Sequence, residues 1–164
     1  MSASADTTQN MTYCRGQLKM DDLLTPYVSQ NLFLPKAFVD EFLEALVSRK
    51  DDGIEPFARQ IDLWWTALMI GVALDKRTTM PEQDQLSKLG TGHIFARDQW
   101  RIVNLELIVL AKEGEEVCAT PSKVLAIGHE YMMTGLEWMA EKLRASAKPT
   151  LKLMTEIESI LPQH

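Results

Sequence analysis

Leu63-Trp64-Trp65-Thr66-Ala67-Leu68-Met69-Ile70 lies inside a longer segment, from about Pro56 to Leu74, and is apolar on nearly every side of a helix. A helix without a broad polar face is buried on more than one side. This segment is therefore expected to be the central helix of a helical domain, with other helices packed around it. Its apolar run, Leu63 to Leu74, is bounded by Asp62 and Asp75 and falls short of the ~20 residues a membrane-spanning helix needs.

Upstream, Phe38, Val39, Phe42, Leu43 and Leu46 recur at spacings of three and four, one apolar helical stripe. Pro35 suits its first turn, where a missing N–H costs nothing. Arg49 and Lys50 suit the negative pole at its end, and Asp51-Asp52-Gly53 stops it. Before Pro35, the apolar groups Asp21–Leu24 and Tyr27–Phe33 are interrupted by Pro26, and Met1–Asn10 offers nothing to bury. Residues 1–34 are expected to be a flexible, extended arm with one helical turn, and residues 35–164 a single helical domain.

Downstream, Asp75 to about Ala96 reads as the longest internal linker, with Thr78, Thr79, Pro81, Gly90 and Gly92, pinned at its far end by His93-Ile94-Phe95. A loop of that length in a small domain is often functional. A third helix is expected from about Asp98 to Glu113, burying Trp100, Val103, Leu107, Leu110 and Ala111 and ending at Gly114. Thr120-Pro121 opens a fourth, which repeats through Val124, Ile127, Tyr131, Gly135, Trp138 and Leu143 to about Ala145. The last, Thr150 to Leu161, carries Leu151, Met154, Ile157, Ile160 and Leu161 on one side and is expected to dock late or bind another chain. No segment shows sustained strand alternation. The fold class expected is all-α, a compact bundle of about five helices with the N-terminal arm.

The chain has 164 residues, enough for one domain with a real core, and a net charge of −6 with pI ≈ 5.1. That charge opposes general coating of nucleic acid or anionic membrane. Cys14 and Cys118 stand far apart, in no Cys-x-x-Cys pair, and the N-terminus has no secretory pattern. A cytoplasmic protein with reduced thiols is expected.

Catalytic and metal motifs are incomplete. His129-Glu130 is half of a zinc-protease helix without the second His, and Gly90-Thr91-Gly92 lacks the Gly-Lys-Ser/Thr ending of a phosphate loop. There is no Gly-x-Ser-x-Gly elbow. The chain is expected not to be an enzyme and to hold no metal or cofactor. Asp62, in an apolar helix, is expected to be half of an ion pair with Arg59, Lys76, Arg77 or Arg101, since an unpaired carboxylate there is costly. Trp64 and Trp65 point about 100° apart, so one is expected to serve the core and the other to face a neighbouring subunit or the Asp75–Phe95 loop. With Trp138 and Met154 they are the candidate partner interface. Lys76, Arg77, Arg97 and Arg101, with Thr78 and Thr79 beside the first pair, are the candidate nucleic-acid contacts.

Some segments carry a family resemblance. Glu55-Pro56-Phe57, Ile61-Asp62-Leu63-Trp64, Ile70-Gly71-Val72, Lys76-Arg77 and Pro81, in that order, resemble the opening of the small Dnd-system-associated protein family, encoded beside DNA phosphorothioation and related anti-phage genes. Ile127-Gly128-His129-Glu130-Tyr131-Met132-Met133-Thr134-Gly135-Leu136-Glu137 is similar to the family's closing helix. The chain departs from it in a less basic turn and in Met132 and Met133, where small residues are usual. The resemblance implies bacterial defence and no particular activity. The expected function is a non-catalytic accessory subunit of an anti-phage DNA modification or restriction complex, docking to a larger ATPase or nuclease, with self-association also open. The alternative is a small DNA-binding module or regulator that contacts phosphates through residues 75–101.

Overall fold

The computed structural model describes residues 24–47, 55–144 and 146–160. Helix α1 spans Lys36–Leu46, α2 Gln60–Ala73, α3 Trp100–Glu113, the single turn α4 Glu115–Cys118, α5 Pro121–Leu143 and α6 Pro149–Ile160. Strand β1, Asn31–Pro35, pairs antiparallel with β2, Leu86–Thr91, and 3-10 turns at Gln83–Gln85 and Gly92–Arg97 flank β2. The chain is thus mostly helical, as the periodicity predicts. Arg49, Lys50, Asp51–Gly53, Cys14 and the first 23 residues of the expected arm lie outside the described residues.

The apolar helix α2 is central. Ile61, Leu63, Trp64, Trp65, Ala67, Leu68, Ile70 and Gly71 are all buried on it. It lies antiparallel against α5, whose residues 127 to 129 and 131 to 136 are likewise buried. Small residues set their separation. A Cβ on Gly135 would lie 1.8 Å from the Ala67 carbonyl oxygen, and one on Gly71 would lie 2.0 Å from that of Tyr131. The two backbones touch where only hydrogen fits. Helix α3 runs parallel to α2, tied at its start by Arg101 to Asp62 and at its end by Lys112 to Asp75. Helix α1 buries Phe38, Phe42 and Leu46, the stripe its spacing predicts.

The structure corrects three expectations. Residues 24–34 are no flexible arm. Tyr27 and Leu32 are 0% exposed and Leu34 2%, and the Tyr27 hydroxyl donates to Glu106 Oε1 at 2.7 Å. The turn carrying Tyr27 sits so close to Gly92 that a Cβ there would lie 2.0 Å from the Tyr27 carbonyl oxygen. The arm is held because Leu32 and Leu34, alternating with Asn31 and Phe33, give a strand one apolar face.

The second correction concerns Asp75–Ala96, which is structured rather than a linker. Thr78 N–H donates to the Glu130 carbonyl at 3.1 Å and its hydroxyl donates to Glu137 at 2.9 Å, and β2 follows. Third, α3 is turned by half a revolution from the expected phase. Ile102, Leu105 and Val109 face inward, while Trp100, Leu107, Leu110 and Ala111 are exposed. Both faces of α3 carry apolar residues, so spacing alone did not choose between them.

Candidate interaction surface

Asp62 leaves the core side of α2 at its first turn and meets two arginines. Arg59 reaches it at 2.8 Å and Arg101 at 2.6 Å. Partial burial pushes the Asp62 carboxyl up, but the hydrogen bonds from Arg59 and then Arg101 outweigh it and hold the group below the usual carboxylate range. Arg101 is itself buried. It donates to the Ile61 carbonyl at 2.9 Å, and its guanidinium lies 5.2 Å from the Trp100 ring and 5.9 Å from that of Trp65. Asp98 adds a second carboxylate, 2.7 Å from Arg59. The ion-paired Asp62 read from the sequence is found, with two of its four candidate partners.

The four candidate nucleic-acid residues do not form one patch. Arg101 belongs to the buried Asp62 network. Arg77 pairs with Glu113 at 3.1 Å and Glu130 at 3.5 Å and lies over the Tyr131 ring. Glu113 closes α3 and Arg101 opens it, about 18 Å of helix apart at 1.5 Å per residue. Lys76 and Arg97 are exposed.

His129 is 6% exposed and has both ring nitrogens engaged. Nε2 accepts from the Phe33 backbone N–H at 3.2 Å, so it carries no proton, and Nδ1 donates to the Leu125 carbonyl at 2.8 Å. Trp64 meets the ring edge-on at 5.5 Å. Burial pushes the imidazole down to about 4, against a weaker upward pull from the Leu125 carbonyl. The ring borders a cavity of about 370 Å³ together with Phe33, Met80, Pro81, Ser122 and Glu130. Neither nitrogen is left to act on a molecule placed there. This bond also accounts for an irregularity in the sheet. The register slips between Leu32 and Phe33, leaving Leu89 of β2 without a partner, and the Phe33 N–H turns to His129 instead.

Among the described residues, no group of three His, Cys, Asp or Glu side chains is placed to hold a metal, and no helix is long and apolar enough to cross a membrane. Burial, then the nearby Glu106 carboxylate, pushes the Cys118 thiol up, away from the thiolate form that reacts.

What the surface does offer is apolar. Of the four residues proposed for a partner interface, Trp64 is 0% and Trp65 8% exposed, and Trp138 is half-buried against the core. Both adjacent tryptophans serve the interior because α2 is enclosed by α5 on one side and α3 on the other, where Trp65 meets Trp100 at 5.4 Å. Met154 is different. Helix α6 docks through Leu153, 2% exposed, and leaves Met154 at 59% and Leu151 at 61% in solvent. These two border a cleft of about 460 Å³ that also includes Ala45, Ala147, Lys148 and Pro149. A second apolar stripe lies on the outer face of α3, where Trp100, Leu107 and Leu110, expected in the core, are exposed. Its signal in the sequence is the apolar surplus of α3, more than one helix face can bury. Compared with family models, curated proteins and solved structures, the chain matches none.

Proposed function

We propose that this chain is a non-catalytic accessory subunit that docks through α6 onto a larger ATPase or nuclease subunit of a bacterial anti-phage complex of the DNA modification or restriction type, in the cytoplasm. The observation that carries the docking is the outward pair Leu151 and Met154 beside their cleft, on a helix already anchored by Leu153. Exposed large apolar side chains grouped at a cleft mark an interaction site more often than scattered ones do. The defence setting rests on the segments that resemble Dnd-associated proteins. The alternative, direct phosphate contact through residues 75–101, has less support, because Arg77 and Arg101 already serve carboxylates.

The test is a tagged pull-down from cells carrying the native gene neighbourhood, at low and high salt, with the wild type and with Leu151→Glu/Met154→Glu. Recovery of one large ATPase or nuclease subunit that persists at high salt, and at least a tenfold lower yield with the double variant, is expected. Recovery of nucleic acid alone, lost at high salt, would transfer the assignment to the DNA-binding alternative.

A further inference from the structure

The cavity beside His129 has walls that are tied to one another. Along β1, Leu32 and Leu34 point into the core, so Asn31 and Phe33 stand on the opposite face. Leu86, paired with Pro35, shares that face. Helix α5 closes the other side with Leu125, Ala126 and His129. The Phe33 N–H holds β1 to His129 at 3.2 Å. Thr78 N–H holds the turn of residues 79–83 to the Glu130 carbonyl at 3.1 Å, and Lys36 Nζ holds its far end through the Asp84 carbonyl at 2.6 Å. The cavity, of about 370 Å³, is therefore preformed and of the size that small-molecule sites have. Two local choices that cost stability meet at its wall. One is the bulge that interrupts the ladder of β1 with β2, and bulges are over-represented beside the sites they shape. The other is a polar ring buried among apolar neighbours.

The lining selects the chemistry of an occupant. The floor is apolar, from Phe33, Met80 and Leu125. The rim is polar and neutral. Gln30, Asn31 and Gln83 bring carboxamides, and Thr79 and Ser122 bring hydroxyls. No hydrogen bond to a described residue engages these five side chains. A carboxamide presents a donor and an acceptor side by side, the combination found along the edge of a purine or pyrimidine base. A half-buried phenylalanine offers a face on which any base stacks. No lysine or arginine lines the cavity, and Glu130 is its one carboxylate. A phosphate or a carboxylate finds nothing there to neutralise it. His129 adds no free donor or acceptor, because both ring nitrogens are engaged.

We infer that this cavity binds an uncharged purine or pyrimidine, as the free base or the nucleoside, with its ring against Phe33 and its edge toward the rim carboxamides. Asn31, Thr79, Gln83 and Ser122 are exposed and must be ordered on binding. Affinity is therefore weak, with a dissociation constant on the order of 10–1000 µM. The site is separate from α6 and does not depend on the docking proposed there.

The experiment is a heteronuclear NMR titration of the full chain to low millimolar concentrations of adenine, cytosine, the four ribonucleosides and their monophosphates, with circular dichroism to show that each variant is folded. At least one base or nucleoside is expected to bind saturably, and its monophosphate no tighter. Ala126→Phe, at an exposed position on the cavity wall, fills the hollow and is expected to remove saturable binding. Asn31→Ala/Gln83→Ala leaves the floor intact and is expected to weaken binding roughly threefold to tenfold. Leu151→Glu/Met154→Glu is expected to leave it unchanged. Absence of saturable binding by every compound would overturn the inference. So would binding that survives unchanged in either cavity variant, which would place it elsewhere. A monophosphate or a short DNA strand that binds tighter than the nucleoside and is released by salt would overturn it too, by revealing a phosphate site instead.

Discussion

His129 joins three levels of the structure. Its helix carries it inward, its Nε2 takes the Phe33 N–H that the bulged sheet leaves free, and its ring receives the edge of Trp64. Burial makes it a titrating group with consequences for stability. The folded-state value is about 4, against about 6.5 in an unfolded chain. Between these values the unfolded state binds the additional proton, so stability rises with pH. It is complete above about pH 6.5 and falls toward pH 4 by up to about 1.4 kcal/mol per pH unit, roughly 3 kcal/mol in all. Urea unfolding at pH 7.5, 6 and 5 is expected to show this slope, and His129→Gln to flatten it while lowering stability at pH 7.5. Asp62 acts in a different window. Its folded value lies below the ordinary carboxylate value, so its contribution is present above about pH 3.9 and lost only as the pH falls below that. The sequence showed that Asp62 needs a cationic partner. It did not show that His129 accepts a strand N–H, because the partner lies 96 residues away.

At the scale of elements, glycine positions carry the packing. Gly71 and Gly135 each cost their helix about 1 kcal/mol relative to alanine, and the close approach of α2 and α5 offsets it. Gly135→Ala sets a Cβ against the Ala67 backbone, which has no side-chain freedom with which to yield, so the helices must separate. A loss of about 3 kcal/mol is expected, at the upper end for overpacking. Gly128→Ala is the control on the same helix. Its Cβ would meet first the tips of Leu105, at 3.2 Å and 3.3 Å, and of Leu68, at 3.4 Å, and these can rotate. Its effect is expected to stay within about 1 kcal/mol, helix propensity compensating for the contact. Chemical denaturation of both variants separates the two cases. These glycines were visible within helical repeats, but the backbone that each one faces was not. Helix α3 shows the same limit. Its spacing predicts a helix, but the face it buries is Ile102, Leu105 and Val109, not the side of Trp100, Leu107 and Leu110.

Over the whole molecule, the first described segment is an integral part of the core. Tyr27, Leu32 and Leu34 come from residues that precede the first long helix, yet they are among the most completely buried side chains. Each is worth about 1.5–3 kcal/mol of burial, and together they rival the 5–15 kcal/mol that stabilises an ordinary domain. A chain beginning at Pro35, the boundary suggested by the sequence, is therefore expected to lose its cooperative thermal transition. A sharp melt near that of the full chain, followed by circular dichroism, would show that the helices stand without β1.

The amino-acid sequence by itself determined the helical class, the central place of α2, the stripe of α1 and the ion-paired state of Asp62. Each of these follows from residues within a few turns of one another, where a period of 3.6 and the cost of an unpaired carboxylate are enough. Tertiary structure alone decided the pairing of β1 with β2, the inward face of α3 and the burial of both Trp64 and Trp65. Strand pairing joins Asn31 to Thr91 across the whole of α1 and α2, and no local pattern specifies a contact at that separation. A helix with two apolar faces buries whichever one its neighbours present room for, and here that leaves Trp100, Leu107 and Leu110 facing solvent.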